Sequence, residues 1–132
     1  MTSELYWLTL SIASIGLLWI PYLLQLIAQL GMVGAIWDPT GAHPHEADWA
    51  QRAKRAHYNA IENIAVFAPL TLMVVMLELN DELTAMAALI YFVVRLAHYF
   101  IYIAALPVIR SAAFFIGFLC QMAMAGRLLG LL

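Results

Sequence analysis

Three stretches place residues that could do chemistry at helical spacing. In RAKRAHYNAIEN, residues 52–63, Arg52, Arg55, Asn59 and Glu62 fall within an arc of roughly 80° at about 100° per residue. They form one polar stripe on a helix that runs on into apolar sequence. In YFVVRLAHYFIY, residues 91–102, Tyr91, Arg95, His98 and Tyr102 share an arc of roughly 60°. In PVIRSAAFFIGFLCQ, residues 107–121, Arg110, Phe114, Gly117 and Gln121 lie on one face. Arginine matches a carboxylate with two parallel hydrogen bonds, and here Arg52, Arg55, Arg95 and Arg110 oppose one stripe carboxylate, Glu62, with His98 able to add charge. Such an excess of cation points to a bound anion. Glu62 and the Asn59 amide suit an ammonium group, so a ligand with several carboxylates and one amine complements the whole set.

The elements that must position these stripes follow from composition. The chain has 132 residues, 65% of them hydrophobic and 11% charged, with a mean hydropathy of +0.88. Soluble domains are about half apolar, so this is read as an all-α integral membrane protein. Four apolar spans are expected at residues 5–30, 56–79, 83–105 and 110–131, each long enough for a hydrocarbon core of about 30 Å. Pro21 is a candidate kink in the first. The connection 31–51 contains Asp38-Pro39-Thr40-Gly41, a turn signal, and the short turns after the second and third spans imply an up-down four-helix bundle. One domain covers residues 1–132. A net charge of −2 gives no reason to expect nucleic acid, and the single Cys120 offers neither a disulfide framework nor metal-ligand spacing. No removable signal peptide is expected, because the first basic residue is Arg52.

Arg52, Lys54, Arg55 and Arg110 cluster at one end of the expected bundle, which makes that end cytosolic. Arg127 sits at the other end and would have to reach the interface with its long side chain. All three polar stripes then lie in the cytosolic half. An ionisable side chain at mid-membrane costs at least ~2.5 kcal/mol on insertion scales, so it faces a partner or a watery cavity. Simpler roles compete. Arg52 and Lys54 can be cytosolic anchors, Glu62 and Arg95 can form a structural pair locking two helices, and Tyr91 reads as core. His57 lies off the stripe and is read as interfacial. His43, His45, Glu46 and Asp48 are read as a solvated loop around Pro44 with no metal site.

RAKRAHYNAIEN, RLAHYFIY and PVIRS, in this order and spacing, resemble the MAPEG family, membrane-associated proteins in eicosanoid and glutathione metabolism. The resemblance covers the chain from about residue 5 to 129. It implies a four-helix membrane protein assembled as a homotrimer, with glutathione between subunits in the cytosolic half and a lipophilic substrate entering from the bilayer. By match to the family pattern, Arg55, Asn59 and Glu62 on the second helix and Arg95, His98 and Tyr102 on the third bind glutathione. Arg110 matches the arginine placed near the sulfur, and Ser111 a neighbouring hydroxyl. The implied activity is transferase or peroxidase chemistry in which a fixed cation lowers the thiol pKa and the thiolate attacks an electrophile or hydroperoxide. The alternative is a non-catalytic membrane protein that binds an acidic ligand or serves assembly. Two positions depart from the pattern: Phe114 stands where several competent members carry tyrosine, and Tyr58 precedes Asn59 where some carry arginine.

Overall fold

A computed structural model describes residues 1–132 and is helical throughout, with no strands. The first apolar run forms α1 (Ser3–Ile15) and α2 (Ile20–Ile36), which together make one spanning segment. Thr2 caps α1 by accepting from the Leu5 amide. The break between them lies just before Pro21, whose ring nitrogen has no hydrogen to donate to a carbonyl one turn back. Residues 16–19 turn tightly instead, and the carbonyls that the break opens find side chains. The Trp19 indole donates to Gly16 O at 2.7 Å, and the Tyr99 hydroxyl donates to Leu18 O at 3.0 Å. In hydrocarbon such groups must be satisfied from within the protein.

A second break falls at Gly31 (φ 75°, ψ 166°), a backbone shape open in practice to glycine alone. The expected end of the first span at residue 30 coincides with it, although helix resumes to Ile36. The following helix, α3 (Asp48–Met76), starts eight residues earlier than the expected 56 and is 29 residues long. An acidic turn leads to α4 (Glu82–Ile103), opened by a capping box in which Asp81 accepts from the Thr84 amide and Thr84 accepts from the Asp81 amide. Finally α5 (Pro107–Leu128) starts on a proline, which fits a first helical turn. Four of the resulting segments are long and apolar enough to cross a membrane.

Helix α4 is central, packing against α1, α3 and α5, while α2 lies on α3. Close approach of α3 is made possible by a stripe of alanines: Ala50, Ala53 and Ala56 are fully buried and Ala60 nearly so. Tyr91 is core as expected, stacked on Phe67 with ring centres 3.7 Å apart. Large apolar side chains such as Met76, Phe115 and Phe100 point outward, as a lipid-facing surface requires. Arg127 reaches back to the acidic turn, pairing with Asp81 at 3.1 Å and donating to Leu79 O at 3.0 Å.

Two sequence expectations are corrected by the packing. His57 is buried rather than interfacial, because Tyr22 of α2 meets its Nδ1 at 2.8 Å. His45 is buried rather than solvated: Gln25 and Gln29 of α2 dock the 37–47 loop, Gln25 Oε1 meeting His45 Nδ1 at 2.6 Å and Gln29 Oε1 accepting from the Glu46 amide.

Candidate functional site

The face of α3 beside its alanine stripe meets α4 and the start of α5 in a cleft of about 260 Å³, lined by Asn59, His98, Tyr102, Arg110, Ser111 and Phe114. Helical periodicity brings them together: His98 and Tyr102 are one turn apart on α4, and Arg110 and Phe114 one turn apart on α5. The Arg110 guanidinium lies 4.6 Å over the Tyr102 ring and makes no hydrogen bond or ion pair within the chain. Its donors are therefore available to a ligand. His98 is buried, its ring edge-on to Tyr102 and 6.4 Å from Phe114. Ser111 donates its hydroxyl to Pro107 O at 3.0 Å, which leaves its oxygen as an acceptor toward the cleft.

Arg95 stands behind this wall rather than in it. Only 5% exposed, it donates from one terminal nitrogen to Asn59 Oδ1 at 2.7 Å and to Asn59 O at 3.2 Å. Space for its stem comes from Gly117, where a Cβ would sit 3.1 Å from Arg95 Cδ. Since the oxygen of the Asn59 amide is held by Arg95, its nitrogen is the atom left to donate. The network continues away from the cleft: Asn63 donates to Asn59 O at 2.8 Å, and Gln121 of α5 donates to Asn63 at 3.3 Å. Sequence spacing placed Gln121 on the right face of α5, but the partner Asn63 was missed. An amide one turn beyond Asn59 was the signal for it.

The remaining expected contacts diverge. Glu62 is exposed on α3 and pairs with no cation, so the structural Glu62–Arg95 staple is not formed. Arg55, also exposed, lines a different opening with His43, His45 and Lys54. Arg52 Nε donates to Ile103 O at 2.8 Å, closing the C-terminal end of α4. No group of three or more His, Cys, Asp or Glu residues is arranged to hold a metal ion.

The cleft thus offers one unpaired guanidinium, an amide donor fixed from behind, and an open side. That is a seat for an anionic group against Arg110, bordered by aromatic and apolar surface. No curated protein matches the chain. The sequence profile described as the MAPEG family matches residues 7–130, and on that match over nearly its whole length the chain belongs to the MAPEG family, membrane proteins of glutathione and eicosanoid metabolism.

Proposed function

We propose that this protein is a glutathione-dependent transferase or peroxidase that presents the thiolate of glutathione to a lipophilic electrophile or hydroperoxide. The observation that carries the reading is Arg110, a guanidinium with no partner in the chain, at the mouth of a cleft also lined by Asn59, His98, Tyr102 and Ser111. A fixed cation beside a sulfur favours its ionised form. The thiol proton leaves to solvent, the sulfur lone pair forms the new bond to the electrophilic atom, and the leaving group departs with its electron pair. Asn59 donates to a carboxylate or peptide carbonyl of the ligand.

The open side of the cleft supports a homotrimer in which glutathione lies between subunits. In that arrangement Glu62 holds the ligand's ammonium and Arg55 a carboxylate, both from an exposed face that a neighbouring copy covers. The basic end faces the cytosol and the lipophilic substrate comes from the bilayer. A second reading, a membrane protein that binds glutathione or a similar acid without turnover, draws on Phe114. This ring is 40% exposed at the cleft, where a phenol would give a second donor. Purified protein with glutathione and a chlorodinitrobenzene decides between them. Conjugate formed by the wild type, and reduced about 10²–10³-fold by Arg110→Ala, supports the enzyme. Calorimetric binding with no conjugate and no hydroperoxide reduction supports the second reading.

A further inference from the structure

A second opening lies at the end of the bundle beside the 37–47 loop and shares Arg55 alone with the residues assigned to glutathione. Two adjoining clefts of about 250 and 240 Å³ share His43, His45, Lys54 and Tyr58. Neither has a lining residue in common with the cleft at Asn59 and Arg110.

Its lining is amphipathic. Lys54 makes no ion pair; its Nζ lies 5.9 Å from the Tyr58 ring centre and makes one long hydrogen bond, 3.5 Å to Gly41 O. His43 donates from Nδ1 to Pro44 O at 3.1 Å, leaving Nε2 open as an acceptor. The one carboxylate in the lining, Asp38, is occupied by its own loop, accepting from the amides of Thr40, Gly41 and His43 and from the Thr40 hydroxyl. Opposite these polar groups, Leu23, Leu26 and Ala35 of α2 supply an apolar wall.

Its depth is set by α3. The 29 residues of that helix extend about 43 Å, about 13 Å more than the ~30 Å of hydrocarbon, and the surplus is its polar N-terminal end, where Gln51, Arg52, Lys54 and Arg55 lie. The turns carrying Lys54 therefore stand at headgroup level. Trp37, 85% exposed, and Trp49, 39% exposed, flank the same end, where tryptophans mark the membrane interface. The Lys54 ammonium, an imidazole nitrogen open to a donor and an apolar wall at this depth match one occupant, a lipid with a negatively charged head.

We infer that this opening binds an anionic phospholipid, its phosphate against Lys54, a headgroup hydroxyl donating to His43 Nε2, and an acyl chain along Leu23 and Leu26. Its test alters neither Arg110, Asn59 nor Arg55, so failure of the lipid site and failure of the glutathione reading are told apart. The full chain in neutral detergent is given phosphatidylglycerol or phosphatidylcholine of the same chain length, and retained lipid is counted by native mass spectrometry. Phosphatidylglycerol is expected to be retained in preference. Lys54→Gln should reduce that preference about fivefold, the effect of about one interfacial cation, whereas Lys54→Arg should keep it. His43→Gln, a substitution in the exposed loop, should weaken it as well. Equal retention of the two lipids, or a preference unchanged in both Lys54→Gln and His43→Gln, overturns the site. Inorganic phosphate that displaces phosphatidylglycerol at equal concentration overturns the lipid as occupant, and failure to displace it supports the acyl-chain contact.

Discussion

The guanidinium of Arg95 holds Asn59 from behind, 2.7 Å from its side-chain oxygen, while two of its other nitrogens, Nε and the second terminal one, have no partner. A buried cation with no counter-charge costs folding energy, and here it orients a cleft-lining amide. Arg95→Met should therefore leave thermal stability unchanged or raise it, while glutathione affinity falls about tenfold to a hundredfold, the worth of a charged hydrogen bond. A calorimetric titration and a melting curve on one sample check both. Loss of stability with affinity intact would show Arg95 to be a packing element.

Phe114 gives the converse test. It lines the cleft beside Arg110 and cannot donate. Phe114→Tyr adds a hydroxyl at the ring's outer edge, and conjugation turnover should rise several-fold with KM for glutathione nearly unchanged, since the new donor acts on the sulfur rather than on the peptide. Steady-state kinetics with glutathione as the varied substrate separate the two effects.

These residues were legible in the sequence to different depths. The four spans could be read because lipid imposes length and apolarity on each. Asn59, His98, Tyr102 and Arg110 could be read because a helix repeats its face every three to four residues. Periodicity gives a face and not a partner, which is why Arg95 was expected in the cleft and Glu62 opposite it. In the fold Glu62 is turned outward, and Arg95 passes over Gly117 to reach Asn59. Arg52 was ambiguous for a similar reason: its target, the carbonyl of Ile103, is a backbone atom with no signature of its own. The burial of His45 and His57 depended on α2 folding back over α3, which no local pattern announces.

Helix ends offer a test of the fold alone. Ala105, two residues past the end of α4, has φ 58°, and the amide of Leu106 bonds back to Ile101 O at 3.3 Å, a closure that glycine adopts without strain. Ala105→Gly should raise stability by about 1 kcal/mol. Thermal unfolding in detergent measures it, with activity unchanged because Ala105 is not among the residues that line the cleft.

The Asp81 carboxylate is held below its ordinary range, chiefly by the Thr84 amide and then by Arg127 nearby. A carboxylate with a lowered folded-state pKa contributes stability above its unfolded value and loses it as pH falls through the folded one. Stability should thus decline below about pH 4, and the decline should be shallower in Asp81→Asn. Unfolding midpoints across that range, wild type against variant, give the comparison.

The central claim is that Arg110 stabilises a glutathione thiolate in this cleft. The ultraviolet difference spectrum of glutathione added to the purified protein reads the ionised sulfur directly. At neutral pH the wild type should show the thiolate band, with a roughly tenfold or greater gain in ionised fraction over free glutathione, and Arg110→Ala should bind glutathione with the band absent. A bound but protonated thiol in the wild type, or an equal thiolate band in Arg110→Ala, would contradict it.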